Sequence, residues 1–150
     1  MSRRIRKPDR IEILFDSELF DIDTEPPNDI NPIRGHAFLA WLAPRLVAAG
    51  YEVDGPNTED WGWYLSVQGP PGRYMVGATA LPFRGAVVDW SLQIVRARSI
   101  RERLRGEGRI GLEDPLVRWI ESCVRKQVGA SEIVVAVLDT RGMHFPEEES

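Results

Sequence analysis

Cysteine occurs once in this chain, at Cys123, and histidine twice, at His36 and His144. A single thiol cannot close an internal disulfide, which agrees with a reducing compartment. One cysteine and two histidines far apart in sequence cannot build a standard structural zinc site, so no metal ligand is expected. Long apolar runs are missing too. The longest, such as Ile133 to Leu138, fall far short of the roughly 20 residues a spanning helix needs, and no membrane association is expected. The basic opening Ser2 to Lys7 runs into Pro8-Asp9-Arg10 where the apolar core of a secretory leader would sit, so the expected location is cytoplasmic. Neither a GxSxG elbow, a Walker A loop nor an HExxH pair is present. The recognisable hydrolase templates are therefore absent, and no catalytic residue and no cofactor is assigned. Charge of one sign is not in excess either: Lys and Arg number 19 against 23 Asp and Glu, a net charge of −4, which is not the basic balance of a nucleic-acid binder.

What the chain does have is the composition of one ordinary globular domain: 150 residues, 43% hydrophobic and 28% charged, enough to bury a core without staples. The first segment, Arg10 to Asp23, alternates at Ile11, Ile13 and Phe15 and then changes phase to Phe20 and Ile22, which predicts a strand and a bulge or tight turn near Asp16-Ser17-Glu18. Asn31-Pro32 reads as an N-cap followed by proline at the first helical position. The helix it opens carries Phe38, Leu42, Leu46 and Ala49 on one stripe, with a kink expected at Pro44 and a stop at Gly50. A short strand near Tyr51 to Asp54 follows. Three further strands then form a meander. In the first, Trp61, Trp63, Leu65 and Val67 are expected on one face; the others are Arg73 to Leu81 and the run through Val88, Trp90, Leu92 and Ile94. Asp114-Pro115 repeats the cap-and-proline pairing and opens a second helix with Leu116, Val117, Ile120, Cys123, Val124 and Val128 as its apolar stripe, ended by Gly129. Ile133 to Leu138 suits a central strand. The expected architecture is α+β: a two-layer sandwich of a mixed, mostly antiparallel sheet with two helices on one face, in the order β-α-β-β-β-β-α-β. Residues 1–9 and 142–150 are expected to be frayed.

Glu59-Asp60-Trp61-Gly62-Trp63 is the most distinctive stretch. Two carboxylates beside two indoles suit a cleft for a cation, a peptide or a sugar, or a general acid-base pair. The same residues equally suit a core with Trp61 and Trp63 buried and the acids accepting loop amides. Together with Asn31-Pro32, Trp41-Leu42 and Gly50-Tyr51-Glu52-Val53, they resemble a family of small bacterial proteins with a Glu-Asp-x-Gly-Trp (EDxGW) signature. The likeness spans roughly residues 10 to 95. It implies a single bacterial α+β domain and carries over no catalytic residue.

Residues Arg96 to Gly111 hold six arginines, two glutamates and three glycines and are read as a mobile loop. Gly106 to Gly111 match GxGxxG in letters, but no strand ends immediately before them and Pro115 starts the next helix beyond them, so the dinucleotide reading fails. The arginines, Arg101 and Arg105 among them, are candidates for contact with an acidic surface; with no aromatic residues interleaved, nucleic acid is not the expected partner. Between Glu12 and Asp29 the chain carries seven acids and no base, a surface that suits the arginines of this chain or another. Cys123, on an apolar stripe, reads as a buried thiol. The leading expectation is a non-catalytic binding or regulatory module, an immunity-type inhibitor being one form, with another protein as partner. Its candidate binding residues are Glu59, Asp60, Trp61, Trp63, Arg101 and Arg105. The alternative is an enzyme using Glu59 and Asp60.

Overall fold

The computed structural model describes residues 9–30, 32–130, 132–139 and 142–144. Its strands are β1 (Arg10–Ser17), β2 (Glu52–Glu59), β3 (Gly62–Gly69), β4 (Gly72–Arg84), β5 (Val87–Arg96), β6 (Ile133–Asp139) and β7 (Gly142–His144); its helices are α1 (His36–Ala48), α2 (Ile100–Arg105) and α3 (Pro115–Cys123). The seven strands make one open sheet in the order β2-β3-β4-β5-β1-β6-β7. Every pairing is antiparallel rather than mixed. This is the α+β sandwich that the alternating strands and amphipathic helices predict.

Period-two alternation decides which face is covered. Ile11, Ile13 and Phe15 of β1, Leu65 and Val67 of β3, Val76 and Ala78 of β4, and Val88, Trp90, Leu92 and Ile94 of β5 are all buried in one cluster with Phe38, Leu39, Leu42 and Leu46 of α1 and Leu116, Val117 and Ile120 of α3. The other face is open among the described residues. β1 ends where the phase change lies: the Leu19 backbone N–H donates to Ser17 Oγ at 3.0 Å, and the turn sends Phe20 back to meet Phe38, Trp41 and Trp90 ring against ring.

Two helix starts show how local chemistry sets the ends. α3 begins as expected. Asp114 accepts from the Leu116 N–H at 2.9 Å with Pro115 behind it, and the Tyr74 hydroxyl donates to the same carboxylate at 2.9 Å. Burial and that carboxylate together push the Tyr74 phenol well above its usual range. The last part of this helix widens into a π turn, Val124–Val128, and stops at Gly129, φ 70°. α1 does not begin at Pro32; it starts at His36, and the expected cap Asn31 lies outside the described residues. Arg34 is instead drawn onto the sheet, its carbonyl accepting from the Ala80 N–H at 2.8 Å. The helix N-terminus is satisfied from a distance. The Glu25 carboxylate accepts from the Gly35 and Ala37 N–H groups, both at 2.9 Å, doing the work of a side-chain cap and facing the positive end of the helix. Pro44 sits on the exposed side of α1, which continues through it to Ala48.

Cys123 is buried, and burial pushes its thiol pKa up. It is a core side chain. Beyond the expected elements the structure adds α2 and β7, the latter pairing with β6 where a frayed tail was expected; residues 1–8 and 145–150 lie outside the described residues.

Candidate functional site

Glu59 pairs with Gly62 across a two-residue turn made by Asp60 and Trp61. That turn corrects one expectation: Trp61 and Trp63 do not share a face. Trp63 is buried in the core, its ring 4.8 Å from that of His36. Trp61 stands outside the ladder, so alternation does not govern it, and its indole lies on the open face over Gly77. A Cβ on Gly77 would collide with the Cη2–Cζ3 edge of that indole. Gly62, at φ 152°, completes the arrangement, because a Cβ there would stand 2.6 Å from the Ala78 carbonyl oxygen.

The turn is held by the backbone groups it exposes. Asn28 Nδ2 donates to the Glu59 carbonyl at 3.1 Å and to the Gly62 carbonyl at 2.9 Å, and the Thr79 hydroxyl donates to the Trp61 carbonyl at 2.9 Å. The Glu59 carboxylate accepts from the N–H of Asp60 at 3.3 Å, and Asp60 is exposed. The acids thus stand at the hairpin tip, and the amide contact expected of the structural reading is made by Glu59.

Arg101 and Arg105 lie on α2. This corrects the reading of the arginine-rich segment as a loop: six of its residues form a helix. Ser99 and Glu102 form a reciprocal capping box, and Gly106 closes the other end at φ 67°. The sequence Ser99-x-x-Glu102 is the signal that could have found it. The Ser99 amide and the nearby Arg96 guanidinium hold the Glu102 carboxyl below its usual pKa. Arg96 fastens the whole arm, donating to Gly108 O at 2.8 Å, to Pro71 O at 2.7 Å and to Glu102 at 3.2 Å.

The six candidate residues are therefore not one site. Glu59 to Trp63 stand at the start of β3, whereas the arm is tied to Pro71, beyond its far end at Gly69; seven residue steps of strand put them roughly 23 Å apart. Because α2 buries none of its residues, no core packing opposes its local opening. Limited trypsin digestion should cut first at Arg101, Arg103 or Arg105, leaving the two fragments associated through the sheet. First cuts elsewhere would show that the arm is held more firmly than its contacts suggest.

A surface that single residues did not announce lies beside Trp61. Strand register sets Val134, Leu14, Ser91 and Thr79 side by side across β6, β1, β5 and β4, and in the next row Asp16, Asp89 and Leu81. Leu14, Leu81 and Val134 are 39%, 62% and 44% exposed. They line a groove of about 490 Å³ together with three carboxylates, Asp16, Asp89 and Glu132. Asp16 and Asp89 are direct cross-strand partners. Like charges so placed repel, and among the described residues no cation is paired with either. The groove can thus offer apolar contact and accept positive charge at once.

Neither a family model, a curated protein nor a solved structure matches this chain.

Proposed function

We propose that this chain is a non-catalytic protein-binding module, that the open face of its sheet is the docking surface, and that its partner is a protein presenting basic side chains around an apolar centre. An immunity-type inhibitor, a small acidic domain masking a basic protein, is one form of this function. The observation that carries the reading is the Asp16–Asp89 cross-strand pair, without an ion-pair partner among the described residues, beside exposed Leu14, Leu81 and Val134. Such a pair weakens the isolated sheet, and an arriving guanidinium or ammonium turns that cost into affinity. Trp61, its ring over Gly77 and its carbonyl held by the Thr79 hydroxyl, borders the same face with the type of side chain that anchors interfaces.

Stability and binding should therefore respond to Asp89 in opposite directions. In Asp89→Asn, relief of a cross-strand repulsion of about 0.2 to 1 kcal/mol should raise the melting temperature by roughly 1 to 3 °C. The same variant should bind a cationic amphipathic peptide of lysine and leucine more weakly than wild type, read by the methyl resonances of Leu14, Leu81 and Val134. A peptide that leaves those methyls unmoved in the wild type would refute the proposal.

A further inference from the structure

We infer that the protein assembles with itself, the arginine-rich arm of one copy seating in the acidic groove on the open sheet face of the next. This rests on the reading of that face as a docking surface and names its occupant.

The arm is built to be presented. Ile100 and Leu104 are 78% and 84% exposed, and at one helical turn apart they share a side of α2. At 100° per residue, Arg101 and Arg105 flank that apolar pair on one side and Arg103 on the other. A solvated linker needs neither an exposed apolar pair nor a capping box. Here the cap and the Arg96 clamp hold the segment as a helix before any contact is made, so little ordering remains to oppose docking.

The groove is its complement in both respects. An apolar pair meets an apolar floor of Leu14, Leu81 and Val134, and three arginines meet Asp16, Asp89 and Glu132. Among the described residues, none of these six charges is in an ion pair within the chain. The arm cannot reach the groove of its own molecule. Asp89 stands near the start of β5 and Arg96 at its end, roughly 23 Å along the strand, and Arg96 ties the arm beyond that end. The contact therefore runs between copies. Because it joins two different patches, it either closes reciprocally into a two-fold dimer or runs head to tail into a ring or chain.

Analytical ultracentrifugation of the full chain tests this. Wild type should associate with rising concentration, and more weakly in 0.5 M salt, since the charges are exposed. An arm variant, Ile100→Asp with Leu104→Asp, and a groove variant, Leu81→Lys with Asp89→Lys, should each remain monomeric where wild type has assembled. All four positions are exposed, and circular dichroism checks that both variants fold. Mixed in equal amounts, the two should form a one-to-one dimer and nothing larger, because one intact groove meets one intact arm. Wild type that stays monomeric at about 1 mM, association that survives either variant, or a mixture without the dimer would overturn the inference. The lysine and leucine peptide separates the two proposals: if it moves the groove methyls while wild type is monomeric, self-assembly falls and the docking surface stands. If the peptide also fails, both fall.

Discussion

Replacing Ile120 with aspartate should unfold the protein. Ile120 is fully buried on α3, between Val117 and Val124, in the cluster that joins this helix to the sheet. Among the described residues no charged side chain is buried in that cluster, so the new carboxylate would meet no cation there. An unpaired buried charge costs several kcal/mol, or its neutralised form still leaves unsatisfied polar atoms. Against a total stability of about 5 to 15 kcal/mol, that is most of what a domain of this size holds. The neighbouring position Arg118 is exposed; Arg118→Asp should shift stability by no more than about 0.5 kcal/mol. Urea melts of the two variants check this. A wild-type-like transition for Ile120→Asp would mean that α3 turns a different face to the sheet.

The burial of Ile120 on α3 is legible in the sequence. In α3 the apolar stripe, the Asp114 cap, Pro115 and Gly129 all agree, so local signals suffice. The same holds for β5, where Val88, Trp90, Leu92 and Ile94 alternate without interruption. α1 was legible in its stripe and not in its start, because the Glu25 carboxylate that caps it lies ten residues before Gly35 and is recruited only when the chain folds back. Trp61 was misplaced because alternation holds only inside a ladder, and the ladder ends at Gly62. The groove was beyond reach for a deeper reason. Asp16 and Asp89 meet only because β1 inserts between β5 and β6, and strand order is not written in periodicity. The acidic stretch and the arginines were both visible as charge runs; which acids remain unpaired is a property of the sheet.

A double-mutant cycle at Gly77 and Trp61 should show a change of sign. In the wild type, Gly77→Ala places a methyl where the rim of the Trp61 indole lies, so the ring must lift from the sheet. Overpacking of this kind costs about 1 to 3 kcal/mol, and indole emission should move to longer wavelength as the ring meets water. Removing the ring removes the conflict. Gly77 lies within β4, opposite Tyr64 and Gln93, and is not among the glycines held at positive φ. In a Trp61→Ala background, Gly77→Ala should therefore stabilise by roughly 0.5 to 1 kcal/mol, since alanine restricts the unfolded chain and suits an extended backbone. The coupling between the two sites would be roughly 1.5 to 4 kcal/mol, the upper end beyond what contacting residues usually show. Additive effects would place the indole elsewhere, and the open face would lose the aromatic border that helps to mark it as a docking surface.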